Sequence, residues 1–239
     1  MSKFKANSAV EYQDVFVASS TQSVDLGAYA NTGDGREFRY AYDGGTALVA
    51  GKLYQGPAQD TTNYQNLAVA AAAAGATQVI LTGSLTIAAN ALTGGLLIVS
   101  VAPGQGQTYE IASNTAVSAA TGCVLTLADP IRVALTTSSR VDVQPNPFNG
   151  VVVQPTTQTS LPVGVAVKAT SGTQYAWLQT HGEVGVLASG AITAGQPVAV
   201  STTVAGAVQA ATSGTQTIIG YAVTGIADTE YGLVYLNIN

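Results

Sequence analysis

The sequence predicts a mainly all-β protein of barrel- or sandwich-like domains, with one short Ala-rich helix and an extended N-terminal arm. Three observations carry that expectation. Short runs of Val, Ile, Leu, Thr and Tyr recur at roughly 10-residue spacing, separated by Gly, Asn, Pro or Ser, as in short strands joined by tight turns. Hydrophobic residues make up 47% of the 239 positions but aromatics only 7%, so small and β-branched side chains dominate the apolar content. Charged residues amount to 9%, against about 25% in an average globular protein, which leaves Thr, Ser, Gln and Asn to cover the surface. A surface so poor in charge suits one packed against neighbours, because desolvating Lys or Glu at an interface is costly.

Residues 1–35 read as the arm. They lack long apolar runs and contain STQS and NTGDG, both turn or loop signals. Phe4, Tyr12, Phe16 and Tyr29 are spread through them as anchors that must dock on the body or on another subunit. MSKFKANSAVEYQD has no apolar core after its lysines, so no signal peptide is expected, and synthesis is expected in the cytoplasm. Residues 61–109 carry no charge, yet their longest apolar run, 67–76, is half the roughly 20 residues a membrane-spanning helix needs. No membrane partner is expected.

From Arg36 the pattern becomes regular. REFRYAYDGG (36–45) places Phe38, Tyr40 and Tyr42 on one face of a strand, and Asp43-Gly44-Gly45 reads as a hairpin turn into a second strand within 46–56. Residues 64–77, YQNLAVAAAAAGAT, read as the helix: Ala is the best helix former, residues 60–63 can supply an N-cap, and Gly75 can end it. QVILTG, SLTIAAN, GGLLIVSVAPG, QTYEIAS, CVLTLAD, IRVALTT and RVDVQP then read as strands. Pro145, Pro147, Pro155 and Pro162 mark a crossing connection or domain boundary. Strands resume to the C-terminus. TALVAGKLYQ (46–55) and GAITAGQPVAV (190–200) echo each other through an apolar pair, an Ala-Gly turn and a following strand. The expected organisation is therefore an arm (1–35), a barrel-like domain (36–60 plus 151–239), and an inserted β-rich domain with one helix (61–150).

The residues for chemistry are few. His181 is the single histidine and no nucleophile-elbow motif accompanies it. Without His/Cys clusters no zinc site is expected, and Asp228-Thr229-Glu230 alone offers too few oxygens for calcium. Thirteen Asp and Glu could in principle pair for glycoside hydrolysis, but nothing indicates which would meet. Gly104-Gln105-Gly106 lies between two predicted strands and reads as a β-turn, since a phosphate loop needs a helix N-terminus or Lys. A net charge of −5 with eight Lys and Arg argues against nucleic acid. Cys123 sits among apolar neighbours and reads as a buried thiol. No enzyme activity, cofactor or metal is expected.

The most distinctive string, QYAWLQTHGEVGVLASGAITAGQPV (174–198), places Tyr175, Trp177, Gln179 and His181 on one strand face and Ala176, Leu178 and Thr180 on the other. That aromatic face either packs in a core or subunit contact, or binds a ligand such as a glycan. YAWLQTHG, the GAITAGQPV turn and strand, GAVQAATSGTQTIIGYAVT and the ending TEYGLVYLNIN together resemble head decoration (capsid cement) proteins of tailed bacteriophages. GDGREFRYAYDGGTALVAGKLYQGPA and LADPIRVALTTSSRVDVQPNPFNGVVVQP resemble phage virion proteins of the same kind. The resemblance covers most of the chain from Gly33 onward. It implies a non-enzymatic protein on the outer capsid surface, bound to the major capsid protein and to itself as a homotrimer. On that reading Phe4, Tyr12, Phe16, Arg36, Arg39, Tyr40, Tyr42, Tyr175, Trp177 and His181 form contacts with the shell or a neighbour. The alternative is a glycan- or receptor-binding head fibre, or a tail or baseplate module, with Tyr175, Trp177 and His181 facing a host-surface glycan.

Overall fold

Period-two alternation of buried and exposed side chains runs through the strands: Leu97 and Val99 point inward while Leu96 and Ile98 face out. The computed structural model describes residues 8–9, 14–120 and 122–238. In chain order the strands are β1 (Ser8–Ala9), β2 (Tyr29–Asn31), β3 (Glu37–Tyr42), β4 (Leu53–Gln55), β5 (Leu67–Val69), β6 (Gln78–Thr82), β7 (Leu85–Ile87), β8 (Leu96–Val101), β9 (Thr108–Asn114) and β10 (Val117–Ala120). They continue as β11 (Cys123–Leu127), β12 (Arg140–Gln144), β13 (Val152–Val153), β14 (Pro162–Ala166), β15 (Tyr175–Leu187), β16 (Pro197–Val200), β17 (Val208–Ala210), β18 (Ile218–Ala222) and β19 (Tyr231–Asn237). A 3₁₀ turn, Asp14–Phe16, and one helical turn, α1 (Thr61–Tyr64), complete the described elements. The described residues form two compact units: a barrel unit within 59–146, and a sheet unit from those within 8–58 and 147–238.

In the barrel unit, β11-β6-β5-β12-β8-β9 close into a ring, which removes the unpaired strand edges an open sheet would expose. Its interior is a single cluster running from Leu67 to Val143, with Leu81, Leu97, Ile111, Leu125 and Val141 fully buried. β7 and β10 form a separate antiparallel pair that contributes Leu85 and Ile87 to that core. The predicted helix over 64–77 is not formed. Asp60 caps a turn that ends at Tyr64, Asn66 has a positive φ of 50°, and Leu67 and Val69 enter the barrel as β5. The alanines that follow give their backbone donors to strand partners: Ala70 N–H to Ile80 O at 2.9 Å, and Ala72 N–H to Leu135 O at 3.0 Å. Alanine's helix preference amounts to a few tenths of a kcal/mol per residue, less than closing the barrel gains.

In the sheet unit the main path runs β1-β2-β3-β15-β19-β18-β16-β17, with β14, β4 and β13 branching from β15. β15 is the spine: its first half pairs with β3 and β14, its second half with β19. Residues 14–35 are part of this body and not a free arm. β2 pairs antiparallel with β3, Ser19 bridges Tyr175, and Val15 and Ala30 are fully buried. The loop signals there are hairpin chemistry, with Asn31 Oδ1 accepting from Gly33 N–H at 3.0 Å. Phe4 and Tyr12 lie outside the described residues. Asp43-Gly44-Gly45 does form a turn, closed by Thr46 N–H to Asp43 O at 3.1 Å, but no hairpin follows. β3 pairs with β2 and β15, whereas β4 pairs with β13 and β14, so the two strands flanking the turn have no partner in common.

One turn device recurs through both units. Gly75 N–H donates to Ile131 O at 2.8 Å, Ile131 N–H returns to Ala76 O at 2.9 Å, and Ala76 N–H closes the turn on Ala73 O at 3.1 Å. With Gly75 at φ 90°, this is a β-bulge in which the left-handed residue is the extra one. The same three bonds occur around Gly195 (partner Ala222) and Gly51 (partner Ala166). They occur again around Gly94 (partner Ile111), Gly106 (partner Val99) and Thr229 (partner Ala188).

Candidate functional site

The face of β15 that carries Tyr175, Trp177 and Gln179 is roofed by the 3₁₀ turn. Val15, Phe38, Tyr40 and Trp177 form a buried cluster, with Phe16 and Tyr175 packed against it. Cross-strand register brings Trp177 beside Tyr40 and Tyr175 beside Tyr42. The Tyr40 ring centroid lies 5.0 Å from Trp177 and 5.9 Å from Tyr175, and Tyr42 lies 4.9 Å from Tyr175, an aromatic ladder internal to the unit. Trp177 is 6% and Tyr40 2% exposed. Both are core residues, which corrects their assignment to a contact with another molecule and removes Trp177 from any glycan face. The packing cause is local: Val15 and Phe16 supply the cover that the reading of 1–35 as an arm had taken away.

The remaining predicted contact residues divide by what they touch. Arg36 is tied to Asp34, with Nη2 to Oδ2 at 2.8 Å and Nε to Oδ2 at 2.9 Å; this holds the Asp34 carboxyl well below the usual carboxylate range. Arg39 donates to Gly27 O at 3.1 Å and lies over the Tyr29 ring at 5.3 Å, so it fastens β2 to β3. Phe16, Tyr42, Tyr175 and His181 are half-buried. His181 Nε2 is 2.9 Å from the Tyr235 hydroxyl, with the two rings edge-on at 5.2 Å.

Past Gln179 the roof ends and the face opens into a groove of about 470 Å³, lined among others by Phe16, Arg36, Gln179, Glu183, Gly185 and Tyr231. Tyr231, Leu233 and Tyr235 alternate along β19 with the buried Val234 and Leu236, so their side chains share the outer face. Register places Leu233 beside Gly185, Tyr235 beside Glu183, and Tyr221 of β18 beside Tyr235. Tyr221, Tyr231 and Tyr235 are 55%, 54% and 41% exposed. Sequence reasoning missed these three, although Tyr231 and Tyr235 stand in period two within EYGLVYLNI, the signal it used at Tyr175 and Trp177.

On the barrel unit, Leu96, Ile98 and Val101 of β8 are exposed in a row. Their cross-strand neighbours are Glu110 beside Leu96, Asp142 beside Ile98, and Arg140 beside Val101. Cys123 is fully buried; burial pushes its thiol up, and its Sγ donates to Thr115 O at 3.3 Å. No protein-family model, curated protein or solved structure matches this chain.

Proposed function

We propose that the chain is a virion structural protein without enzymatic activity that decorates the outer surface of a tailed-phage capsid, binding the major capsid protein and copies of itself as a trimer. The observation that carries this reading is the β8 row: an apolar strip of Leu96, Ile98 and Val101 with Glu110, Asp142 and Arg140 at its border. An apolar centre with a charged rim is the anatomy of a protein–protein contact. Leu96, Ile98 and Val101 belong to the charge-free stretch 61–109, so the charges at the contact are those of the bordering Glu110, Asp142 and Arg140, which a rim position leaves hydrated. The likeness of the sequence to capsid cement proteins supplies the partner. A protein that binds the assembled shell more tightly than free subunits stabilises the shell by linkage, and threefold repetition turns weak contacts into avidity.

The test is co-sedimentation of the purified chain with heads stripped of it, beside a parallel run with unassembled capsid subunits. Binding is expected to assembled heads. Ile98→Asp, which faces Asp142 from a surface position, is expected to weaken it about tenfold or more while leaving the fold intact by circular dichroism. A deletion of residues 2–13, stopping short of the buried Val15, measures the contribution of the N-terminus separately. Labelling of the chain on tails or baseplates in imaged virions, with none on heads, overturns the proposal.

A further inference from the structure

The groove beside Gln179 has the chemistry of a binding site. Gln179 is 1% exposed, and both hydrogens of its side-chain amide are taken by its own strand: Nε2 donates to His181 O at 3.0 Å and to Glu183 O at 2.9 Å. Two carbonyl acceptors fix the amide's orientation, which leaves Oε1 as a buried acceptor without a donor. Such an atom is costly unless something supplies a hydrogen. Gln179 lines the groove, where the other polar side chains are Glu183, which only accepts when ionised, Arg36, which only donates and is tied to Asp34, and Tyr231, whose hydroxyl can do either.

We propose that this groove, with the tyrosine shelf beside it, binds a neutral polyhydroxylated ligand, an oligosaccharide. An unpartnered acceptor at Gln179, a second acceptor at Glu183, a donor at Arg36 and a hydroxyl at Tyr231 match a ligand whose hydroxyls both give and take. A neutral ligand draws on no charge from a groove in which Arg36 is already tied to Asp34. A volume of about 470 Å³ falls within the range of about 300–1,000 Å³ typical of small-molecule sites. Tyr231 offers an exposed ring at the groove itself, its edge lying where a Cβ on Gly51 would stand. A Cβ on Gly185 would meet nothing within 4 Å, so the floor beside Leu233 is open. Tyr235 lies four residues along the same face, about 13 Å away at strand rise, and Tyr221 sits across from it. His181 steadies the Tyr235 ring through its hydroxyl. A pocket followed by exposed aromatic rings on one pleated face suits successive sugar rings, each with an apolar surface to stack.

This inference stands apart from the capsid reading and takes a separate experiment. The probes are glucose, galactose, N-acetylglucosamine, maltotriose and cellotriose, each presented to the full chain in ligand-observed saturation-transfer NMR. At least one trisaccharide is expected to bind, and more tightly than its monosaccharide. Gly185→Val fills the floor without touching the core, and Tyr231→Ala removes the ring; each is expected to weaken binding about tenfold. Tyr235→Ala is expected to spare the monosaccharide and abolish the gain with length. No transfer from any probe overturns the proposal, as does binding that survives both Gly185→Val and Tyr231→Ala in folded protein.

Discussion

The barrel and sheet units are built around the same corner and finish it differently. In the barrel, Ala72 and Leu135 exchange backbone hydrogen bonds three residues before the Gly75 bulge; in the sheet, Ile192 and Ile226 do so three residues before Gly195. Both corners lead into a strand, β6 in one and β16 in the other. The strand entering the corner makes the difference. β5 has three residues and pairs with both β6 and β12, so the ring closes at once. β15 has thirteen residues, with a register shift between Gln179 and His181, and pairs with β3, β14 and β19, whereas the strand beyond its corner, β16, pairs with β17 and β18. Its length carries the sheet away to β3 and leaves an outer face uncovered. The barrel therefore offers side chains on a sealed surface, whereas the sheet offers a groove.

The largest test of this contrast asks whether the two cores are energetically separate. The buried residues of the barrel cluster run from Leu67 to Val143, with Tyr64 packed against them, while Trp177, the sole tryptophan, belongs to the sheet unit's cluster. Leu125→Ala is expected to cost about 2–5 kcal/mol, lowering the urea midpoint seen by far-ultraviolet circular dichroism for the barrel and leaving the Trp177 fluorescence transition in place. Phe38→Ala is expected to cost about 3–5 kcal/mol and to move the Trp177 transition instead. Coincident shifts in both signals from either substitution would show one cooperative unit.

A smaller effect tests the shared bulge. Cβ atoms at Gly75 and Gly195 would meet nothing within 4 Å, so only their φ values of 90° and 80° oppose alanine. Gly75→Ala and Gly195→Ala are expected to cost the same, about 1–2 kcal/mol each, in their own units. Thr229 occupies the equivalent position with a β-branched side chain at φ 65°, so Thr229→Gly is expected to stabilise the sheet unit by up to about 1 kcal/mol. Paired midpoints from chemical denaturation measure all three, and unequal losses at the two glycines would mean that the corners are alike in geometry only.

The same corners mark what was legible in the sequence. The echo between 46–55 and 190–200 is real, because Ala50-Gly51 and Ala194-Gly195 are two of the bulges. A third, Ala74-Gly75, closes the alanine run read as a helix, where the alanines favour a helix and Gly75 reads equally well as its end. Propensity is local, whereas the bonds to Ile131 and Leu135 come from residues more than fifty positions away. The aromatic string at 175–181 was legible as a face, but not as a covered one, since Val15 and Phe16 lie far off in sequence. The exposed tyrosines of β18 and β19 went unread for the complementary reason: period two marks a face without saying which side is wet.

The smallest expected effect separates the units by pH. In the barrel unit, Asp60 accepts from the Asn63 side-chain amide at 2.7 Å and from the Asn63 and Thr62 backbone at 3.0 Å each, which holds its carboxyl below the usual range. In the sheet unit, Arg36 holds Asp34 lower still. A carboxyl depressed in the folded state contributes stability that is complete above its unfolded value, about 3.9, and is lost as pH falls through the folded value. The barrel should lose its contribution first on acidification, since Asp60 is the less depressed of the two. Asp60→Ala is expected to cost about 1 kcal/mol at pH 7 through the lost cap. That deficit should shrink as the pH falls below about 4, where the unfolded carboxyl takes up its proton, and be gone once the folded carboxyl, held lower by its bonds, is protonated as well. Urea midpoints of the wild type and the variant at neutral and acid pH measure it. A deficit that stays constant with pH would mean that Asp60 caps the turn as well protonated as ionised.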